Sequence, residues 1–184
     1  LIAVMLAVAA VTLLTWRQHG FPRTGIDDAN IFFSYAENLA SGRGFTYAQN
    51  SEPVEGFTSM LWTLICAAMF AVGLNEAGVF AFTFSLFVAT QCLFLGAIRK
   101  AVPPTVRNVR FLQVMYIALI LSTPGYITWM TITLMAVSLW GFIVAVMTYL
   151  LVLPPRTKLT IFIAALAFGF APIARPEALL VAPA

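Results

Sequence analysis

The chain has 184 residues, of which 61% are hydrophobic and only 9% are charged. Soluble domains carry charge on about a quarter of their residues, so this composition excludes a soluble globule and a disordered chain. The net charge of +3 arises mainly from two basic segments, 99–110 and 156–158, which the positive-inside rule explains without a nucleic-acid partner. We therefore predict an all-α polytopic membrane protein.

Apolar stretches occur along the whole sequence. The chain begins inside one stretch and ends just after another, so we interpret residues 1–184 as the N-terminal part of a longer transmembrane domain, truncated at both ends. Residues 111–153 carry no charge and are too long for one span, which predicts a break at Thr123-Pro124-Gly125. The predicted order is a first span at 1–16, an outer loop at 17–76 with juxtamembrane helices at 27–41 and 57–74, and further spans at 77–98, 111–123, 131–153 and 159–174.

The distribution of charge favours a topology in which 57–74 does not cross the membrane. If every apolar stretch spanned in turn, the basic segment 99–110 would lie outside, against the positive-inside rule. If 57–74 lies along the outer interface, both basic segments lie inside, and the acidic loop 17–76 and Arg175 lie outside. The alternative, in which 57–74 is an ordinary span, stays open.

The first part of the outer loop has the pattern of an amphipathic helix that lies along a membrane surface. Asp27 suits its N-terminal cap, Asp28 suits its first turn, and Gly42 and Gly44 end it. The pattern predicts a helix from 27 to 41. Its apolar stripe is Ile31, Phe32, Tyr35 and Leu39, and its polar face is Asn30, Ser34, Glu37, Asn38 and Ser41.

Acidic residues of the loop are candidates for catalysis. One carboxylate of the adjacent pair Asp27 and Asp28 can act as a general base toward a sugar hydroxyl. The other can orient that base or help to bind a divalent cation. Glu55, at the foot of the next apolar helix, can bring a third carboxylate opposite Asp27 across the loop. Helix capping is the alternative explanation for each of these residues.

The end of the last apolar stretch carries a candidate phosphate-binding residue. Arg175 can hold a lipid-linked phosphate through paired hydrogen bonds, and Glu177 can neutralise Arg175 when no phosphate is bound. Pro176 disfavours helical backbone at the residue before it, so we expect the helix to end near Arg175. An interfacial ion pair between Arg175 and Glu177 is the alternative. Apart from the open question of a divalent cation, the sequence predicts no cofactor, because it lacks a glycine-rich phosphate loop and a metal-binding cluster.

These motifs, in this order, resemble the first outer loop of GT-C superfamily glycosyltransferases, and most of all the mycobacterial terminal arabinofuranosyltransferase family and its bacterial relatives. That family carries an Asp-Asp pair, an aromatic helix ending in Y-A-x-N-L, a G-x-G turn, then V-E-G-[YF]-T and L-W, and later R-P-E. The similarity covers about 17–62 and 174–178. The matching residues are Asp27-Asp28, Tyr35-Ala36, Asn38-Leu39, Gly42, Gly44, Val54-Glu55-Gly56-Phe57-Thr58, Leu61-Trp62 and Arg175-Pro176-Glu177.

The resemblance implies a GT-C-type helix bundle and an inverting transferase that moves a hexosyl or pentosyl group from a polyprenyl-phosphate donor to a glycan or lipid acceptor. It implies a multi-pass protein of the bacterial plasma membrane, in contact with lipid, whose site faces the periplasm or the cell exterior. It implies that the aspartate of the first loop deprotonates the acceptor hydroxyl. We take Asp27 as this base, with Asp28 and Glu55 in support, and we assign substrate binding to Tyr35, Arg175 and Glu177.

The chain also departs from the family pattern. Relatives often carry Arg where this chain has Ser34 and Glu37, and a G-L-E-T motif where it has Thr133-Leu134-Met135-Ala136. A second hypothesis is therefore a non-catalytic scaffold subunit, derived from such a transferase, that packs against other membrane proteins. A transporter is a third hypothesis, which the sequence opposes because the charged residues lie in loops or at interfaces rather than at mid-membrane.

Overall fold

The computed structural model describes residues 2–19, 27–48, 56–103, 108–153 and 157–180. Across these residues all regular structure is helical, which confirms the all-α prediction for the described part of the chain. The expected helix at 27–41 corresponds to the second helix. The helices are α1 (Ile2–His19), α2 (Asp27–Ala40), α3 (Met60–Ala71), α4 (Glu76–Ala101), α5 (Val109–Leu121), α6 (Pro124–Thr131), α7 (Val137–Leu151) and α8 (Lys158–Ala174), followed by a 3₁₀ helix (Pro176–Leu180).

Helix α4 is long and apolar enough to cross a membrane by itself. Its 26 residues extend about 39 Å, more than the roughly 30 Å of a bilayer core. Asn75 caps its start, because the side-chain oxygen accepts from the backbone N–H of Ala77 at 3.1 Å. Glu76 lies in its first turn and Arg99 and Lys100 lie in its last turn, so the charges at both ends complement the helix dipole.

The other apolar helices are shorter than a typical spanning helix. Helices α5 and α6 reach spanning length only together, and they are bent by 77° at the break between them. Helices α3, α7 and α8, and residues Met5–Leu14 of α1, are apolar but have fewer than 18 residues. The described residues therefore contain one candidate span, or two if the bent pair crosses as one.

The break predicted at Thr123-Pro124-Gly125 is present, and α6 begins at Pro124. Proline suits the first turn of a helix because the N–H that it lacks would have no intrahelical partner there. The buried Gln91 of α4 joins both sides of the break. Its Oε1 accepts from the hydroxyl of Tyr116 in α5 at 2.6 Å, and its Nε2 donates to the hydroxyl of Tyr126 in α6 at 3.5 Å.

A second break, which the sequence did not predict, separates α6 from α7. We expected one apolar segment at 131–153, but α7 begins only at Val137. The connector between them, residues 132–136, is largely buried, and its Leu134 has a left-handed backbone with φ of 55°. That conformation is costly for any residue with a Cβ atom, so the surrounding structure must stabilise it.

Side chains from two neighbouring helices bond to the backbone of this connector and of the last residue of α6. The buried Trp62 of α3 donates its indole Nε1–H to the carbonyl oxygen of Leu134 at 3.2 Å. The hydroxyl of Thr83 in α4 lies 3.0 Å from the carbonyl oxygen of Thr131, and it also reaches the carbonyl oxygen of Phe80 in its own helix. These bonds matter because a buried carbonyl without a partner costs about 1–3 kcal/mol.

Two hydrophobic clusters hold the helices together, and α4 contributes to both. The first cluster joins α2, α3, α4, α7, α8 and the 3₁₀ helix, and includes Leu86 of α4. The second cluster joins α1, α4, α5 and α6 around Val8, Phe87 and Ile127. Cys66 lies in the first cluster, and burial raises the pKa of its thiol to about 12. It is a packing residue rather than a nucleophile, because the thiolate is the reactive form.

Replacement of Trp62 by phenylalanine tests the bond between α3 and the connector. Trp62→Phe removes the indole N–H and leaves the Leu134 carbonyl buried without its donor, so we expect a loss of about 1–3 kcal/mol in the free energy of unfolding. The matched control is Trp140→Phe, because Trp140 is half-buried and its indole makes no hydrogen bond within the described residues. Denaturant unfolding of the full-length protein in detergent gives both values. An equal loss in the two variants would assign the effect to ring volume alone.

Candidate functional site

Helix α2 presents one buried face to α3 and the opposite face outward. Ala29, Phe32, Phe33 and Ala36 are buried at the i, i+3, i+4, i+7 spacing of a helix face. The ring of Phe33 meets Phe70 of α3 edge to face, with centroids 5.6 Å apart. The buried face therefore differs in part from the predicted apolar stripe. Phe32 and Tyr35 of that stripe are buried, whereas Ile31 and Leu39 are only half-buried.

The C-terminal end of α2 is closed by backbone and side-chain hydrogen bonds. Gly42 has φ of 76°, its N–H donates to the Leu39 carbonyl oxygen at 3.0 Å, and the N–H of Arg43 donates to the Asn38 carbonyl oxygen at 2.8 Å. This is a Schellman motif, in which glycine adopts the left-handed conformation without strain. The expectation that Gly42 ends the helix is confirmed.

Asn38 was assigned to the polar outer face, and that prediction was wrong. Only 5% of Asn38 is exposed. Its Nδ2 donates to the carbonyl oxygens of Thr46 at 2.6 Å and Tyr47 at 3.3 Å, and its Oδ1 accepts from Arg43 Nε at 2.8 Å. An asparagine in the last turn of a helix before a G-x-G turn can indicate such a bonded side chain from sequence, because asparagine side chains often bond to nearby backbone groups.

Tyr35 connects α2 to the segment that follows Glu55. A Cβ atom added to Gly56 would lie 2.7 Å from the Tyr35 hydroxyl oxygen, and the Tyr35 and Phe57 ring centroids are 4.9 Å apart. Tyr35 is only 2% exposed, so in this structure its ring is enclosed by the protein. Glycine at position 56 is thus explained by close approach to Tyr35.

The predicted catalytic carboxylates are described only in part. Helix α2 begins at Asp27, and Asp28 is exposed in its first turn. The side chain of Asp27 and the whole of Glu55 lie outside the described residues, so the placement of Glu55 opposite Asp27 across the loop stays a prediction. Within the described residues no group of three or more His, Cys, Asp or Glu side chains is placed to hold a metal ion. The suggestion that Asp27 and Asp28 bind a divalent cation is likewise untested.

Arg175 and Glu177 form an ion pair directly after α8. The helix ends at Ala174 and Arg175 is extended, with φ of −151° and ψ of 120°, as expected for the residue before Pro176. Arg175 Nε lies 3.3 Å from Glu177 Oε2, and Nη2 donates to Oε1 at 3.3 Å. The side chains are 29% and 62% exposed, so water screens the pair and it contributes little to folding.

The structure attaches the Arg175–Glu177 turn and α2 to the same hydrophobic cluster. Ala174 and Ala178, which flank the ion pair, are buried members of the first cluster. Ala29, the neighbour of Asp28 in α2, belongs to the same cluster. Two motifs that are far apart in sequence are therefore anchored to one core, a relation that hydrophobic patterning alone could not reveal.

An apolar groove runs between α3, α7 and α8. Its volume is about 320 Å³, and apolar side chains line it, among them Leu61, Phe142 and Phe170. Helix α8 contributes to this groove, and the ion pair follows directly after its last residue. Phe170 and Arg175 are five residues apart, about 7.5 Å along a helix axis.

A double-mutant cycle tests the contact between Tyr35 and Gly56. Gly56→Ala introduces a methyl group beside the Tyr35 hydroxyl, and we expect it to lower the free energy of unfolding by about 1–3 kcal/mol. In a Tyr35→Phe background the nearest clashing atom is absent, so the same substitution should cost at least about 1 kcal/mol less. Equal costs in both backgrounds, measured by denaturant unfolding, would contradict the contact.

Comparison with known proteins does not assign the chain to a family. No protein-family model, no characterised protein and no solved structure matches it. The similarity to lipid-linked-sugar glycosyltransferases therefore rests on the ordered motifs of the sequence, and the function is put forward below as a proposal.

Proposed function

We propose that the chain is the N-terminal membrane part of a glycosyltransferase of the bacterial plasma membrane. It transfers a sugar from a polyprenyl-phosphate donor to a glycan or lipid acceptor of the cell envelope, on the outer face of the membrane. The observation that carries this proposal is the attachment of the Arg175–Glu177 turn and of helix α2 to one hydrophobic cluster. A phosphate-binding residue and a catalytic carboxylate have to be held by one rigid unit to act on one substrate.

Large apolar side chains on the surface support a location in lipid. Phe111 and Leu119 of α5 are 57% and 63% exposed, and Leu159 and Phe162 of α8 are 66% and 60% exposed. Soluble monomers rarely expose contiguous apolar patches above a few hundred Å². Hydrocarbon tails would cover these faces.

The charges at the helix ends support the orientation. Arg99 and Lys100 end α4, and Lys158 begins α8, so the positive-inside rule assigns these ends to the cytoplasm. Helix α3 has 12 residues and extends about 18 Å, too short for the roughly 30 Å bilayer core. This length favours an α3 that lies at the outer interface together with α2.

The proposed reaction is a single displacement at the anomeric carbon of the donor. Asp27 takes the proton of the acceptor hydroxyl, whose oxygen then forms a bond to the anomeric carbon. The bond between that carbon and the phosphate oxygen breaks, and polyprenyl phosphate leaves with the electron pair and inversion of configuration. Arg175 stabilises the negative charge on the departing phosphate once Glu177 has released it. The apolar groove beside α8 offers a surface for the isoprenoid chain.

One observation favours the alternative of a non-catalytic scaffold. Met135 stands where relatives often carry glutamate, and it packs against the first hydrophobic cluster in a largely buried connector. If that glutamate is required for transfer, the chain keeps the fold and lacks the activity.

Cysteine labelling tests the orientation. Asp28 and Arg110 are both exposed, so Asp28→Cys and Arg110→Cys each offer an accessible thiol. In intact cells that carry the full-length protein with Cys66→Ser and Cys92→Ser, an impermeant maleimide should label position 28 and leave position 110 unlabelled. Both positions should react after the cells are opened. Labelling of position 110 in intact cells would overturn the topology.

Donor binding and turnover test the assigned residues in the full-length protein. Arg175→Ala should weaken binding of decaprenyl phosphate by about 2–4 kcal/mol, because the phosphate loses its paired donors. Arg175→Lys should recover only part of the affinity, since the planar fork is lost. Asp27→Asn should abolish transfer and leave binding largely intact. The matched control is Lys158→Ala, at the opposite end of α8. Equal affinity of the wild type and Arg175→Ala for decaprenyl phosphate would mean that Arg175 has only a structural role.

A further inference from the structure

Four aromatic rings form a continuous group where the loop after α2 meets the segment that leads to α3. Tyr35 lies at its centre, with its ring centroid 4.9 Å from that of Phe57 and 5.9 Å from that of Tyr47. Phe45 continues the series, 5.8 Å from Phe57. Tyr35 is buried whereas Tyr47 is 52% exposed, so Tyr47 is the ring that this aromatic group presents at the surface.

The backbone under the Tyr47 ring is fixed by a single side-chain amide. Asn38 donates to the carbonyl oxygens of Thr46 and Tyr47 and accepts from Arg43 Nε. One planar amide makes all three bonds, so the guanidinium of Arg43 and the backbone of Tyr47 are both tied to the same side chain. Arg43 and Tyr47 are both exposed, so a guanidinium and an aromatic ring reach the surface of the loop that Asn38 fixes.

We propose that Tyr47 and Arg43 form a saccharide-binding site. The negative face of an aromatic ring attracts the weakly positive C–H groups on one face of a sugar ring. A guanidinium has several N–H donors, of which Asn38 occupies one, and the others can bind sugar hydroxyl oxygens. The pair therefore meets both needs of a neutral polyol, an apolar face and hydrogen bonds around its edge.

The position of the site identifies the part of the ligand that it binds. The ring of Tyr47 lies beside that of Tyr35 in α2, eight residues and about 12 Å along the helix from Asp27. If the proposed transfer occurs at Asp27, the sugar at Tyr47 is not the one that carries the reacting hydroxyl. The site then holds the distal part of an acceptor glycan, so long acceptors depend on it and single sugars do not.

Saturation-transfer NMR on the full-length protein in lipid nanodiscs tests the site. The probes are linear hexasaccharides of arabinofuranose and of mannose, with the corresponding methyl glycosides as short controls. We expect at least one hexasaccharide to bind to the wild type. Tyr47→Ala should weaken this binding roughly two- to tenfold. Tyr47→Phe should retain it, because the ring rather than the hydroxyl makes the contact. Arg43→Gln should weaken it as well.

The matched control is Trp129→Ala, which removes an aromatic ring of similar exposure, 48%, outside the aromatic group. Two results would overturn the site and leave Tyr47 as an interfacial aromatic residue. In the first, Trp129→Ala lowers hexasaccharide binding as much as Tyr47→Ala does. In the second, Tyr47→Ala leaves hexasaccharide binding unchanged. Absence of hexasaccharide binding to wild type would also overturn the site. Decaprenyl phosphate binding in the same samples separates the two proposals: if it depends on Arg175 while the saccharide test fails, only the saccharide site is lost.

Discussion

The arrangement of the helices depends on how the buried connector between α6 and α7 satisfies its backbone. A chain that breaks its helix inside a hydrophobic core exposes carbonyl groups that water cannot reach, and each unpaired group costs free energy. Trp62 of α3 bonds to Leu134 in the connector, and Thr83 of α4 reaches Thr131 at the end of α6. The Trp62 bond holds α3 against the connector at Leu134, whose backbone is left-handed.

Helices α2 and α3 therefore share one core with α7 and α8. Helix α3 contributes Trp62 and Cys66 to that cluster, and α2 packs against α3. Helix α4 belongs to this cluster and also to the second one, so it links α1, α5 and α6 to the rest. Asp28 in the first turn of α2 and Arg175 directly after α8 lie at the ends of these packed helices, where a rigid support and an accessible surface coincide.

Polar side chains in this apolar protein make mostly structural bonds. Gln91 joins the two halves of the bent pair α5 and α6, and Asn38 fixes the loop after α2. Arg175 and Glu177 differ, because they pair with each other at a partly exposed turn and keep contact with water. An exposed ion pair is held weakly, which leaves its arginine available to an anionic ligand and fits the proposed phosphate contact.

Long apolar runs in the sequence determined the all-helical class. Local signals determined the end of α2 at Gly42, the break at Pro124 and the end of α8 before Pro176, because glycine adopts a left-handed backbone without strain and proline constrains its own backbone and that of the preceding residue. The sequence also supplied the candidate residues, of which Asp28, Tyr35, Arg175 and Glu177 are described, whereas the Asp27 side chain and Glu55 are not. Only the tertiary structure decided the break at 132–136 and the common core of α2 and the Arg175 turn. Each of these depends on partners that fold packing alone brings together: Trp62 and Leu134, for example, are 72 positions apart.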